Sequence, residues 1–136
     1  MVERISHLGI AVKDLEAAIR LYQDVLGLQP VHRWVAEEDR MEACAFQVGD
    51  VQIELMQPLE EDSPVGRFIS RRGEGIHHVS FKVADVAAAL KGVEQAGLET
   101  VDKAPREGGG GHTRVAFLHP RSTGGVLMEL EEDVRS

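Results

Sequence analysis

The sequence predicts an α+β fold in which a βαβββ module occurs twice, and two internal repeats support this prediction. The segment HLGIAVKDLEAAIRLYQDVLGL, which starts at His7, resembles HVSFKVADVAAALKGVEQAGLET, which starts at His78. Further along, FQVGDVQIELM from Phe46 resembles FLHPRSTGGVLMELE from Phe117. Each copy combines one stretch of helical periodicity with several alternating stretches typical of strands. We therefore expect a cleft-shaped, mostly antiparallel sheet formed by tandem modules.

The first module is predicted to cover about residues 5–57. Its first strand is expected at Ile5–Val12, and Asp14 follows as a residue that can cap a helix. The next strands, Met41–Val48 and Val51–Met56, flank a Gly49-Asp50 hairpin turn. The intervening helix presents one apolar stripe, made of Leu15, Ala18, Ile19, Tyr22, Val25 and Leu26.

The second module is predicted to cover about residues 76–132, with strands at His77–Val83, Arg114–Leu118 and Val126–Glu131. Its helix follows Asp85 and ends near Gly97. The apolar stripe of this helix consists of Val86, Ala89, Leu90 and Val93. Asp62, Ser63 and Pro64 predict the start of a linker helix, over about residues 61–73, between the copies.

Composition restricts the function classes. With 136 residues, the chain is expected to form a single domain, residues 1–136. The net charge of −8 argues against non-specific binding of nucleic acid, which requires a basic face. No apolar run is long enough to span a bilayer, and the N-terminal MVERISHLGI does not resemble a signal peptide, so we expect a cytoplasmic protein. Cys44 lies in an apolar alternating run, which predicts a buried, unreactive thiol.

Each copy carries a His on its first strand and a Glu on its last strand. If the modules pack about a pseudo-twofold axis, His7, Glu54, His78 and Glu129 converge on one point. Two imidazoles and two carboxylates suit an octahedral divalent metal ion with positions left open for substrate oxygens. A lone strand His is more often structural than metal-binding, but here the same residue types recur at equivalent positions. His77 lies on the opposite strand face from His78, and the alignment with His7 selects His78 as the ligand.

These features resemble the vicinal-oxygen-chelate (glyoxalase/bleomycin-resistance/dioxygenase) superfamily and, within it, the methylmalonyl-CoA epimerase family over nearly the whole chain. RGEGIHH and FLHPRSTGGVLMEL are the more specific matching stretches. Ser6 is a departure, because the family usually has Asp before the first ligand His. The resemblance implies an epimerase that interconverts (2R)- and (2S)-methylmalonyl-CoA by 1,1-proton transfer through a metal-stabilised thioester enolate. It also implies a homodimer, with Co²⁺ as the expected metal and Mn²⁺, Ni²⁺, Fe²⁺ or Zn²⁺ as alternatives.

The resemblance further implies which residues act on the substrate. Glu42 looks like the family's second active-site carboxylate, so Glu42 and Glu129 are the predicted pair of bases; from its strand position alone, Glu42 would be a solvated residue. In the PRSTGG segment, Ser122 is predicted to bond the substrate carboxylate, with Arg121 and His119 as weaker candidates. The glycine run Gly108–Gly111 offers backbone N–H groups to the CoA portion, with Gly110 and Gly111 as the predicted contacts, although a simple surface loop would have the same sequence.

Two other functions fit parts of this pattern. A glyoxalase I-type glutathione-dependent isomerase would use the same four ligand types and a similar proton transfer. A non-catalytic small-molecule-binding module is the alternative from another class, but such proteins often lack the metal ligands. The predicted partner is therefore a small acyl-CoA, with neither nucleic acid nor membrane involved.

Overall fold

The computed structural model describes residues 1–134 and confirms the α+β fold class. The described residues form two compact units: residues 7–77 make one, and residues 1–6 together with the chain from His78 onward make the other. Strand β1 (Val2–Ala11) therefore begins in one unit and ends in the other. The predicted boundaries of the two modules, about residues 5–57 and 76–132, stay a prediction.

In the unit of residues 7–77, the sheet order is β2-β3-β4-β1. Strand β1 is parallel to β4, while β3 is antiparallel to both β2 and β4. The elements that follow β1 in this unit are α1 (Leu15–Arg20), β2 (Pro30–Ala36), β3 (Met41–Val48), β4 (Val51–Pro58) and α2 (Pro64–Arg72).

The other unit repeats this arrangement, with the sheet order β5-β8-β7-β6. Strand β5 is parallel to β8, and β7 is antiparallel to both β6 and β8. Its elements are β5 (Gly75–Val83), α3 (Val86–Gln95), β6 (Arg106–Gly108), β7 (Thr113–Leu118) and β8 (Met128–Asp133). The order βαβββ thus occurs twice, as the sequence repeats predict.

The local signals in the sequence act as expected. The Asp14 carboxylate accepts the backbone N–H of Ala17, and the Asp85 carboxylate accepts that of Ala88, each at 3.1 Å. Each bond satisfies one of the helix-start donors that no helical carbonyl can reach. Gly49 takes a positive φ of 60° in the turn that joins β3 to β4, a conformation that costs glycine little.

Each unit buries the apolar face of its sheet under its own helix. In the unit of residues 7–77, Leu15 of α1 packs with Phe46 of β3 and Leu55 of β4. Cys44 belongs to the same cluster and is 2% exposed, and burial raises the pKa of its thiol. In the other unit, all four predicted stripe residues of α3 are buried in the core: Val86, Ala89, Leu90 and Val93.

The predicted stripe of the first helix is wrong at its C-terminal end. After Arg20 the α-helix widens into a π-helical turn over Leu21–Val25. The wider turn changes the angle between successive side chains, so the three-to-four spacing no longer predicts the buried face. Tyr22 still packs on the core, whereas Val25 is 73% exposed and Leu26 is 57% exposed.

None of the helices in the described residues has the length and apolar character needed to cross a membrane.

Candidate metal centre

The two candidate carboxylates occupy equivalent positions in the two half-sheets. Glu54 of β4 lies between Gly9 of β1 and Ala45 of β3. Glu129 of β8 lies between Ser80 of β5 and Phe117 of β7. In each half, the candidate His precedes the parallel-strand neighbour of the Glu by two residues, so alternation places both side chains on one face. The sequence repeat is therefore also a repeat of strand register.

In the unit of residues 7–77, His7 and Glu54 form a buried pair. His7 is 3% exposed and Glu54 is 9% exposed. The distance from His7 Nε2 to Glu54 Oε2 is 3.4 Å. Strand alternation places Glu54 on the face of Met56, whereas Leu55 packs in the core beneath α1.

In the other unit, His78 and Glu129 are equally buried, at 4% and 6% exposed. A ring nitrogen of His78 and a carboxylate oxygen of Glu129 lie within 4.8 Å of each other. The Phe117 ring meets the His78 ring edge-on, with 5.4 Å between the centroids. Phe117 was not predicted as a site residue, although its position across from Glu129 follows from the β7–β8 hairpin. It closes one side of the pair with an apolar ring.

Arg106 covers the outer side of Phe117. Its guanidinium carbon lies 5.6 Å from the centroid of the Phe117 ring. The Asp102 carboxylate holds both residues, because it accepts a hydrogen bond from Arg106 Nε at 3.1 Å and another from the backbone N–H of Phe117 at 2.8 Å. A cation over an aromatic face is favourable. The half-sheet therefore carries the Arg106–Asp102 ion pair on the Phe117 ring that contacts His78.

The structure separates His77 from His78 as strand alternation predicts. The His77 ring packs edge-on against Phe68 of α2, with 4.8 Å between the centroids. Burial, with the Arg72 charge as a second cause, lowers the pKa of His77 to about 4. His77 is therefore a neutral packing residue at neutral pH.

Glu42 lies away from the His7–Glu54 pair. It is the β3 neighbour of Gln57, three residues along β4 from Glu54, so strand alternation puts it on the opposite face. The Arg33 Nε donates to Glu42 Oε2 at 2.9 Å, and the same guanidinium also pairs with Glu16 of α1. These bonds raise the pKa of Arg33. The structure thus brings together the predicted pairs His7–Glu54 and His78–Glu129 but does not bring Glu42 to Glu54.

The predicted substrate residues after β7 form a cluster around Glu99. Arg121 donates to the Glu99 carboxylate at 3.0 Å and lies 3.4 Å from His119 Nε2. The Ser122 hydroxyl accepts the backbone N–H of Glu99 at 2.9 Å, which leaves its own proton available to another acceptor. The Arg121 hydrogen bond and charge lower the pKa of Glu99.

The glycine run also has a defined backbone shape. Gly109, Gly110 and Gly111 all have positive φ, at 58°, 68° and 96°. Three such residues in succession suit only glycine. The Gly108 backbone lies so close to β7 that a Cβ at this position would come within 2.9 Å of the Val115 side chain.

A second buried polar group lies on the face of His78 and Glu129, farther along the same strands. Lys82 Nζ donates to Glu131 Oε1 at 2.9 Å and to Asp133 Oδ1 at 2.6 Å, while the Ser6 hydroxyl also donates to Glu131. Burial lowers the pKa of Lys82, but the hydrogen bonds to Asp133 and Glu131 outweigh it, and the pKa is raised. Lys82 therefore stays charged, which compensates the buried carboxylate.

Comparison with known proteins gives the family of this fold and site. Residues 6–117 match the model of the glyoxalase/bleomycin resistance protein/dioxygenase superfamily. The chain belongs to this superfamily.

Within the superfamily, the expected resemblance to methylmalonyl-CoA epimerases is confirmed. The mitochondrial methylmalonyl-CoA epimerase of Mus musculus is 35% identical, over 95% of this chain and 72% of the relative. The crystal structure of the Mycobacterium tuberculosis methylmalonyl-CoA epimerase has a TM-score of 0.94 at 35% identity and covers 98% of this chain and 90% of its own. A variant of the Streptomyces coelicolor enzyme, in complex with 2-nitronate-propionyl-CoA, has a TM-score of 0.95 at 34% identity and covers 99% of this chain and 100% of its own.

Proposed function

We propose that this protein is a metal-dependent epimerase that interconverts (2R)- and (2S)-methylmalonyl-CoA. The observation that carries the proposal is the buried His/Glu pair at the same strand register in each half-sheet. Relatives and solved structures named methylmalonyl-CoA epimerase, matched over nearly the whole chain, support the same reaction. No observation favours a glutathione-dependent isomerase or a non-catalytic binding module over this function.

His7, Glu54, His78 and Glu129 would together hold one divalent metal ion. Their donor atoms are imidazole nitrogens and carboxylate oxygens, which suit first-row divalent metals in octahedral sites. Burial adds support, because a buried carboxylate is costly unless it is paired or bound to a metal. That both pairs bind the same ion is our inference from the repeat.

The chemistry requires one proton to leave the carbon between the thioester and the carboxylate and another to arrive from the opposite side. A bound divalent metal would supply a Lewis acid that stabilises negative charge on the thioester oxygen. The Glu129 carboxylate is suited to take or return the proton on one side. Each turnover breaks one C–H bond and forms another, so the reaction needs neither oxidant nor reductant.

Glu42 is proposed as the base for the other side of the substrate. Its present bond to Arg33 holds it on the α1 side of the sheet. Because strand alternation places Glu42 on the opposite face from Glu54, the role requires a local change of the β3 backbone as well as release of the side chain from Arg33 when substrate binds. The Glu42 side chain is 28% exposed and the Arg33 side chain is 43% exposed. The ion pair between them can therefore be exchanged for another interaction at modest cost in free energy.

The substrate would be held by the two loops that flank β7. Ser122 has a hydroxyl proton available for the substrate carboxylate, and Arg121 and His119 lie in the same turn. Gly110 and Gly111 present backbone rather than side chains, which suits close contact with the CoA portion.

Three further features complete the proposal. Co²⁺ is the metal proposed from the resemblance, and the donor set of two imidazoles and two carboxylates favours octahedral ions in general over tetrahedral Zn²⁺. A cytoplasmic location and a homodimer are proposed from the resemblance alone. Elemental analysis of the purified protein and light scattering in solution test the metal and the dimer.

The deciding experiment measures exchange of the α-hydrogen of methylmalonyl-CoA in D₂O by the Co²⁺-loaded protein. We expect deuterium at C2 together with interconversion of the two epimers, followed with a mutase specific for the (2R) form. Protein stripped with a chelator provides the matched control. Absence of exchange with full metal loading would refute the epimerase, whereas exchange by the stripped protein would refute only the role of the metal.

A further inference from the structure

The two candidate carboxylates differ in the residues that flank them on the adjoining strands. Glu54 is flanked on its adjoining strands by Gly9 and Ala45, neither of which has a polar side chain. In the other half, the position equivalent to Gly9 is Ser80, directly beside Glu129 on the parallel strand. The repeat therefore differs at both flanking positions, with Phe117 in place of Ala45 and Ser80 in place of Gly9, and only the change to Ser80 adds a hydroxyl group, which lies beside Glu129.

The Ser80 hydroxyl is buried and has no hydrogen-bond partner among the described residues. Its residue is 0% exposed. A buried hydroxyl without a partner is destabilising, so most such groups in proteins are paired. The Ser80 hydroxyl therefore has the capacity for a hydrogen bond that the resting arrangement of side chains does not make.

The geometry restricts what this hydroxyl can reach. Ser80 is two residues from His78 and two from Lys82 on β5, so all three lie on the same face as Glu129. Neighbouring strands lie about 4.7–4.9 Å apart, so a serine rotamer can reach the carboxylate of a glutamate at the paired position. The Lys82 ammonium already donates to Glu131 and Asp133. Glu129 is thus the acceptor within reach of Ser80.

We propose that Ser80 is a positioning residue for Glu129, holding one carboxylate oxygen so that the other faces the metal and the substrate. This inference rests on the proposed function. A serine hydroxyl can donate a hydrogen bond to a carboxylate. Glu54, which lacks such a neighbour, is left as a ligand only.

The test compares two variants that each remove one buried hydroxyl. Ser80→Ala removes the proposed donor. Thr100→Val is the matched control, because the Thr100 hydroxyl is also buried without a partner among the described residues, but its residue pairs with Leu118 of the α3 core. Ser80→Thr restores a hydroxyl at the proposed position. Thermal unfolding is measured for each variant without metal.

Co²⁺ affinity, measured with the metal alone, and the visible absorption of bound Co²⁺ are the main readouts. Groups that orient metal ligands change metal affinity by about 10–100-fold when removed. We expect a loss in this range, with an altered spectrum, for Ser80→Ala, no change for Thr100→Val, and recovery in Ser80→Thr. In the exchange assay, Ser80→Ala should lower kcat and leave KM unchanged.

The possible outcomes distinguish a failure of the Ser80 proposal from a failure of the proposed epimerase function. If Ser80→Ala binds Co²⁺ as tightly as Thr100→Val and with an unchanged spectrum, Ser80 does not position Glu129. If Ser80→Ala weakens Co²⁺ binding but the wild-type protein exchanges no α-hydrogen, the epimerase is wrong and the role of Ser80 stands. If the wild-type protein binds no Co²⁺, both proposals fall.

Discussion

Lys82 and Glu131 form an ion pair in which both side chains are 8% exposed, with 2.9 Å between Nζ and Oε1. Asp133 binds the same ammonium group, and Ser6 binds the same carboxylate. A buried pair of this kind depends on both partners, because removal of one leaves the charge of the other uncompensated.

Lys82→Met should therefore be strongly destabilising. Methionine keeps most of the side-chain volume but leaves Glu131 buried without its cation, for which we expect a loss of about 3–5 kcal/mol in the free energy of unfolding. Urea denaturation measures this value. Glu60→Gln, which breaks the exposed Arg40–Glu60 pair, should cost less than about 1 kcal/mol. Equal losses in the two variants would contradict the role assigned to the Lys82–Glu131 pair.

Removal of one imidazole from either half-sheet should disrupt metal binding. His7→Ala and His78→Ala should each weaken Co²⁺ binding by more than about 100-fold, since loss of a direct ligand exceeds the effect of a supporting group. Isothermal titration with Co²⁺ measures the affinity. His32→Ala is the control, because His32 stacks on Trp34 and belongs to neither pair. A large loss from only one of the two ligand variants would show that the half-sheets do not share an ion.

The role of Glu42 can be separated from its ion pair by two substitutions. Glu42→Gln should lower kcat for α-hydrogen exchange by about 10²–10⁴-fold, the usual contribution of a general acid or base. Arg33→Met removes the partner but keeps the carboxylate, so it should retain most of the exchange activity. If both variants keep their activity and lose similar stability, Glu42 serves only to bind Arg33.

Cys44 should be unreactive in the folded protein. Burial raises the pKa of its thiol, and the thiolate is the reactive form, so folding suppresses both access and ionisation. A disulfide reagent added near pH 8 should label Cys44 only after guanidinium denaturation. Labelling of the native protein at the rate of a free thiol would show that the α1 side of the sheet opens readily.

The features that the sequence predicts correctly depend on residues close together in the chain. The caps at Asp14 and Asp85 need only the following turn of helix, and the Gly49 turn needs only its flanking strands. The His/Glu pairs are further apart in sequence, but the internal repeat makes them visible.

The features that the sequence does not predict depend on tertiary contacts. The exposure of Val25 follows from a π-helical turn, which has no signal in the apolar spacing. The bond from Arg33 to Glu42 crosses between two strands whose register is not evident beforehand. The neighbour of Glu129, Ser80, becomes recognisable only when the parallel register of β5 and β8 is known.

The bond between Ser6 and Glu131 has a consequence for protein synthesis. The two residues are 125 positions apart, and Ser6 immediately precedes the candidate ligand His7. Ribosomes add about 5–20 residues per second, so the beginning of β1 leaves the ribosome many seconds before its partner. During that interval the Ser6 hydroxyl cannot form its bond to Glu131. Full burial of this segment is thus one of the last steps of folding, and it is coupled to the emergence of β8.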